Sequence, residues 1–391
     1  MKILYLTFYF EPDLCAGSFR NTPLAKELSS LLDLKDRIHV VTTMPNRYNS
    51  FNEETISHEV TGNIEINRIK LPSHKSGLID QSLAFIYYFF QTLKLTKSRE
   101  YDIVFASSSR LFTAFLGSII SKRKKIPFYI DIRDIFVDTM NDVFKDKLLK
   151  YPILLFLKFI EKHTFKKAFH INLISEGFKS YFTKFKNTSF SYYTNGIDPE
   201  FLNFPISESM PNAEYIITYA GNIGEGQGLH KIIPEAAKLL GSKYKFRIIG
   251  DGGMKNELEE QLKNEKINNV EIIPPTNRKG LISYYHSTHF LFLHLNDYKA
   301  FKKVLPSKIF EYGSTDKPII AGVSGFAAKF IENNLTNYII FSPGDAKGFG
   351  QLLKNYAFEY TERLEFQKRF ARSNINREMA KSIIKLGSQQ F

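Results

Sequence analysis

The feature that most constrains this chain is an alternation. Short apolar, β-branched runs alternate with helix-patterned stretches, and the alternation is interrupted once. In the first half the strand-like runs are Ile3–Thr7, Ile38–Thr43, Ile64–Lys70, Ile103–Ala106, Phe128–Ile132, Ile171–Ile174 and Phe190–Tyr193, with helical patterns such as Pro23–Leu32 and Leu148–His163 between them. Several are unbroken Val/Ile/Leu/Phe runs, as parallel strands covered on both faces require. Residues 195–214, NGIDPEFLNFPISESMPNAE, carry three prolines and no periodicity, so they read as a linker. The alternation then restarts with Tyr215–Ala220, Tyr244–Ile249, Val270–Ile273, Phe290–Leu293, Pro318–Ala321 and Tyr338–Phe341, and a charged helical tail runs from Thr361. The expected class is α/β: two Rossmann-like doubly wound domains facing a cleft, residues 1–198 and 199–370.

Length and charge narrow the function. A chain of 391 residues exceeds one ordinary domain. Its net charge of +13 points to anionic partners. Nucleic acid is disfavoured, because no nucleic-acid motif is present and the charge is spread over both halves. Cys15 is the one cysteine, so neither an intrachain disulfide nor a cysteine-built metal site can form. Met1–Thr7 reads as a strand rather than a signal peptide. The longest apolar runs, near Leu83–Phe90 and Tyr151–Leu157, are too short to span a bilayer. A cytoplasmic protein is expected.

Ligands of doubly wound sheets bind at the carboxyl ends of strands, so the informative loops follow strands. In EPDLCAGSFR (11–20), Gly17 and Ser18 precede a helical pattern starting near Arg20, an arrangement that suits a phosphate or is an ordinary glycine turn. In YIDIRDIF (129–136), Asp131, Arg133 and Asp134 close an apolar strand, either as an Asp–Arg structural pair or as groups facing a ligand. YAGNIGEGQGLHKII (219–233) places Gly221, Gly224, Gly226 and Gly228 between a strand and a helix, without the G-x-G-x-x-G spacing. The next strand ends RIIGDGG, where Asp251 could hold a ribose. In KKVLPSKIFEYGSTDKPIIAG (302–322), Pro306 opens a short helix with Lys308 in its first turn and Glu311 on the same face. A cation there is disfavoured by the helix dipole. The bland reading is a surface ion pair; a phosphate met by backbone N–H groups and the ammonium, with Glu311 on ribose hydroxyls, makes a nucleotide-diphosphate clamp.

Together YAGNIGEGQGL, LPSKIFEYGSTDKPIIAG and TNGID (194–198) resemble the family-4 glycosyltransferases of the GT-B fold, and the resemblance runs over nearly the whole chain. The first two are most similar to the branch that builds bacterial surface polysaccharides such as O-antigen and capsule, including transferases of N-acetylated amino sugars such as fucosamine. The resemblance implies a UDP-linked donor, retention of configuration, no metal and no cofactor. It also implies that a final helix, residues 371–391, crosses back to the first domain. It puts Glu311 on the nucleotide ribose, as the second glutamate of the E-x7-E motif, Lys308 on the diphosphate, and Gly17 in the first-domain loop. The first motif glutamate falls at Lys303 here, Asn222 and Gln227 stand where many members have Arg and Lys, and Arg133 stands where many have a sugar-contacting His. The site set is therefore Arg133, Asp134 and Lys308 for catalysis, and Gly17, Ser18, Gly221, Asn222, Gly224, Gln227, Asp251, Lys308 and Glu311 for the donor. Without a metal, cations must offset the leaving diphosphate; Lys308, Arg20, Arg133, Lys302 and Lys303 are the candidates.

Residues 143–167 carry seven lysines against Asp146 and Glu161, interleaved with Leu, Phe and Ile. Such a segment can lie on an anionic membrane surface, near a polyprenyl-diphosphate-linked acceptor. The second run, LAFIYYFFQTLKL (83–95), reads as a core helix. Two other functions fit parts of the pattern: a nucleotide-sugar epimerase of the same fold, and a non-catalytic basic binding protein.

Overall fold

The computed structural model describes every residue except 14, 46–54, 73–77, 109–110, 144–146, 203, 205, 208–213 and 390–391. It divides into two compact units, Met1–Asn195 with Ser373–Phe391, and Gly196–Arg372. The first unit runs β1 (Lys2–Leu6), α1 (Ala16–Leu31), β2 (Arg37–Thr43), β3 (His58–Thr61), β4 (Ile64–Ile69), α2 (Leu78–Thr96), β5 (Ile103–Ser108), α3 (Leu111–Lys124), β6 (Phe128–Ile132), α4 (Phe136–Val143), α5 (Lys147–Phe165), β7 (His170–Leu173), α6 (Lys179–Phe182) and β8 (Ser189–Ser191). The second runs α7 (Pro199–Leu202), β9 (Tyr215–Asn222), α8 (Leu229–Leu240), β10 (Tyr244–Asp251), α9 (Lys255–Asn264), β11 (Val270–Ile273), α10 (Arg278–His286), β12 (Phe290–His294), α11 (Lys308–Gly313), β13 (Ile319–Gly322), α12 (Phe326–Asn334), β14 (Tyr338–Phe341), α13 (Ala346–Lys354) and α14 (Leu364–Phe370). Helix α15 (Arg372–Gly387) packs into the first unit, where Met379, Ala380 and Ile383 join the core of β1 and β2.

The first sheet has the order β3-β4-β2-β1-β5-β6-β7-β8 and the second β11-β10-β9-β12-β13-β14. All pairs are parallel except β3 with β4. The first sheet reverses its winding between β1 and β5, the second between β9 and β12. These two switch points are where such sheets open a crevice beyond their strand ends. The exposed antiparallel edge β3 was not foreseen, because HEVT is short and polar.

Several local expectations are corrected. Helix α1 begins at Ala16 and runs through Pro23, rather than starting at Pro23. Its buried first turns are held by polar tertiary contacts that propensity does not register: Asn21 Nδ2 donates to Thr7 Oγ1 and to Gly17 O, both at 2.8 Å. Residues 196–202 are not a loose linker. Ile197 pairs with Ala371, and Phe201 on α7 is fully buried. The tail is two helices, broken at Ala371 where that bridge forms. Helix α2 is not a simple core helix either. Ala84, Phe85 and Tyr88 are buried, but Leu83, Ile86, Tyr87 and Phe90 are exposed.

Asp131 does form a structural pair, with Arg20 and not Arg133. Arg20 Nε and Nη2 donate to the two Asp131 oxygens at 2.7 and 2.8 Å, and further N–H groups reach the carbonyls of Tyr193 and Thr194. Both side chains are sealed from solvent, so Arg20 is no cation for a diphosphate. It stitches α1, β6 and the chain after β8 together. Removing one partner of a buried pair strands the other charge. Asp131→Ala should therefore cost about 3–5 kcal/mol in urea unfolding; a loss under about 1 kcal/mol, the range of an exposed pair, would contradict this role.

Candidate functional site

The second unit gathers most of the expected residues at its switch point. The loop after β9 carries Gly224, Glu225, Gly226, Gln227 and Gly228 into the start of α8. Gly228 has φ 61°, a left-handed conformation that favours glycine. The loop is tied internally, with Asn222 Nδ2 donating to Gln227 Oε1 at 2.9 Å and Gly228 N to Gly224 O at 3.2 Å. It is tied again to the segment after β12: Asn296 N donates to Gly226 O at 2.8 Å, and Asn296 Nδ2 to Glu225 O at 3.0 Å. Glu225 is in turn held by Lys231 at 2.7 Å and by the Tyr298 hydroxyl at 2.5 Å. Gly221 lies inside β9, opposite Gly250 of β10. A Cβ on Gly250 would sit 1.8 Å from Gly221 O, so the two strand ends approach as only glycine allows. Asp251 Oδ1 accepts from Gly252 N at 2.8 Å, so its carboxylate caps the following turn.

His294 closes the strand end. Its Nδ1–H donates to Gln227 O at 2.6 Å and its Nε2 accepts from Gly344 N at 3.0 Å. Those partners fix one neutral tautomer. Burial pushes the imidazole down to about 4.

Helix α11 stands beside this loop, its Tyr312 hydroxyl accepting from Ala220 N at 3.2 Å. The helix starts at Lys308, after the Ser307 cap, slightly later than Pro306 suggested. Lys308 Nζ donates to Glu311 Oε2 at 2.7 Å. Arg278 of α10 lies 3.6 Å from Glu311 Oε1, and Tyr285 OH reaches Oε2 at 3.4 Å. Arg278 also bonds Asp198, which is shared with Arg372. The pair is thus no surface salt bridge. Glu311 is buried, and three cations surround two carboxylates, leaving an excess positive charge. Burial raises the Glu311 carboxyl, but Lys308 and Arg278 outweigh it and hold it below the usual carboxylate range. Lys302 pairs with Asp297 at 3.5 Å on the exposed rim, and Lys303 ends the 3-10 turn Ala300–Lys303.

In the first unit, Gly17 is the second residue of α1. A Cβ there would meet Tyr9 Cβ at 3.0 Å and Arg133 Nη1 at 3.1 Å. Arg133 is half-buried, and its Nε and Nη1 find no protein acceptor. A guanidinium with open donors beside a helix start is an anion receptor. Asp134 is exposed beside it. Ser18, the third residue of α1, is buried, and its hydroxyl finds no protein partner.

Comparison with known proteins decides what this geometry belongs to. Residues 203–373 match the family model described as "Glycosyl transferases group 1". The match lies almost wholly within the second unit and covers under half of the chain. Over 65 residues, 17% of this chain and 16% of the other, the sequence is 38% identical to an Escherichia coli (strain K12) protein named as a colanic acid biosynthesis glycosyl transferase, WcaI. Solved structures share the fold over almost the whole chain. Sucrose-phosphate synthase of Thermosynechococcus elongatus aligns over 99% of this chain and 96% of its own, with TM-score 0.69 at 12% identity. Anabaena HepE, in complex with UDP, aligns over 98% and 100%, with TM-score 0.65 at 15% identity. The apo lipopolysaccharide outer core galactosyltransferase WaaB aligns over 98% and 99%, with TM-score 0.63 at 13% identity. The chain has the GT-B fold.

Within the second unit, sequence reasoning missed Arg278, Arg372 and His294, and it quoted Asp198 in TNGID without giving it a role. His294 had a readable signal, a polar residue closing the apolar run FLFLH. Arg278 had none, since TNRKG looks like any solvated helix start. The neutral His294 also makes the unit acid-sensitive. In the unfolded chain His294 gains a proton near pH 6.5, whereas the folded chain resists it down to about 4. Its stability contribution is full above pH 6.5 and falls progressively as pH drops to 4, by about 3 kcal/mol in all. Thermal melts should show this decline, and it should shrink in His294→Asn; an equal decline in that variant would contradict the assignment.

Proposed function

We propose that this chain is a retaining, metal-independent glycosyltransferase. It moves a sugar, an N-acetylated amino sugar, from a UDP-linked donor to a lipid-linked or saccharide acceptor in surface polysaccharide synthesis. The carrying observation is the convergence, at the β9/β12 switch point, of the glycine loop, the start of α8 and the cation-rich cluster around Glu311.

In this reading the diphosphate lies over the glycine loop and the start of α8, where backbone donors and the helix dipole meet it. Lys308 turns from Glu311 to the leaving phosphate, and Glu311 takes the vicinal ribose hydroxyls. Arg278 keeps Glu311 ionised through that exchange. The bond between the anomeric carbon and the phosphate oxygen breaks, the acceptor hydroxyl oxygen forms the new bond, and its proton passes to the departing diphosphate. On the first unit, Arg133 over Gly17 binds an anionic oxygen of a substrate, with Asp134 at hand. Lys308 supplies positive charge that offsets the leaving group. The amide pair Asn222 and Gln227 leaves the charge at the diphosphate to Lys308. The UDP in the HepE complex supports a uridine nucleotide, and the names of WcaI and WaaB support polysaccharide or glycolipid synthesis.

Glu311→Gln keeps the shape and loses the charge. Turnover, read as hydrolysis of UDP-sugars or transfer to acceptor, should fall by more than about 10-fold, with the larger change in kcat/KM. Because the substitution would leave Lys308 and Arg278 without their carboxylate, the ligand-free melting temperature should fall as well, and turnover is compared at a temperature where circular dichroism shows the variant folded. Parental turnover in Glu311→Gln would remove the ribose assignment, and absence of both UDP stabilisation and UDP-sugar turnover in the parent would remove the function.

A further inference from the structure

The first unit carries a surface that the transferase reading does not use. Helices α2, α3 and α5 lie side by side. Phe85 and Phe89 of α2 pack on Phe112 and Phe115 of α3, with ring centroids 5.4 and 6.3 Å apart. Phe115 in turn meets His163 of α5 at 6.2 Å. The inner face of this layer is anchored in the sheet. Tyr88 OH, for example, donates to the carbonyls of Thr7 and Val41 at 3.2 and 2.9 Å.

The outer faces are the unusual part. On α5, Tyr151, Leu155, Phe156 and Phe159 are 75%, 72%, 56% and 67% exposed. Positions 151, 155, 159 and 162 recur at helical spacing, so they form one stripe. On α2, Leu83, Ile86, Tyr87 and Phe90 are all exposed, at spacings of three and four, and Lys94 continues that row. Single exposed apolar residues are ordinary, but two helices flanking the same third helix and each presenting a row are not.

The charges beside these rows are mostly cationic. Lys158, Lys162, Lys166 and Lys167 are exposed along and after α5. Lys94 and Lys97 end α2, and Lys122 and Arg123 end α3. Among the described side chains of α2 and α5 the sole acid is Glu161, which is buried and bonded to the Tyr181 hydroxyl. Apolar side chains with a predominantly cationic rim complement a bilayer surface bearing anionic headgroups. A hydrophobic protein partner would be met equally well by acidic and basic rims; an anionic lipid surface is not. Among the described residues no helix is long and apolar enough to cross a membrane, so the contact lies on the surface.

We infer that the outer faces of α2 and α5 together dock this protein on an anionic lipid bilayer. The aromatic and aliphatic rows enter the headgroup–acyl boundary, and the lysines meet lipid phosphates. Two helices acting together give a combined grip that one short amphipathic row lacks. This inference stands apart from the proposed transfer reaction.

The test is flotation of the full-length protein with vesicles of phosphatidylcholine and phosphatidylglycerol, and with phosphatidylcholine alone. Binding is expected on the anionic vesicles, more than about tenfold weaker on neutral ones, and weaker as salt rises. Phe156→Ser with Phe159→Ser, and separately Ile86→Ser with Phe90→Ser, should each reduce anionic binding by about tenfold or more. These side chains lie outside the core, and unchanged melts and unchanged UDP-sugar hydrolysis in solution would show that fold and site survive. Absence of anionic binding at low salt, or binding indifferent to the α2 pair and the α5 pair, would overturn the inference. So would light scattering that finds a lipid-free dimer which these substitutions split, since a second copy would then own the surface.

Discussion

The arrangement of the second unit depends on how one buried carboxylate is kept charged. Glu311 lies in the interior of the second unit, where burial alone disfavours its charged form. Lys308 on its own helix and Arg278 on α10 prevent that, and Arg278 in turn shares Asp198 with Arg372. Each member would be costly without the others, so the cluster stands or falls as a unit. It fastens α10 and α11 to the residues at which the chain enters and leaves the unit. The excess of cations gives the site an anionic preference before any ligand arrives.

The glycine loop is prepared in the same way. Gly224, Gly226 and Gly228 would make a pliant segment if nothing held them. Here Asn296 and His294 hold the loop's carbonyls, and Lys231 and Tyr298 hold the side chain of its Glu225. Donors held in place need no reorganisation when a phosphate binds, which is the chief way a protein lowers the cost of gathering charge. His294 does this only as the neutral tautomer, so a binding loop in this unit is built on a histidine that burial keeps unprotonated.

The alternation of runs made both sheets legible, because parallel strands covered on two faces can scarcely be written otherwise. Lys308 was legible as an anomaly: a cation at a helix start has to be explained by something outside the helix. What stayed hidden is tertiary. Arg20 looked like a free cation, yet it is spent on Asp131, 111 residues away. Asp198 and Arg278 meet across 80 residues with no local mark. LAFIYYFFQTLKL looked like core because composition reports apolarity and not which face finds a partner; Phe85 and Tyr88 find one, whereas Ile86 and Phe90 do not. The short polar strand β3 and the passage of α1 through Pro23 were invisible for a related reason, since both rest on neighbours rather than on local preference.

The central claim is that the β9/β12 switch point, with α11 beside it, holds the nucleotide diphosphate. Amide hydrogen exchange with and without UDP reads that location directly, without an acceptor or knowledge of the donor sugar. The account predicts slowed exchange in residues 221–229 and 306–312, with little change at the far edge strands β11 and β14. Protection absent from both segments, or confined to the first unit, would contradict it.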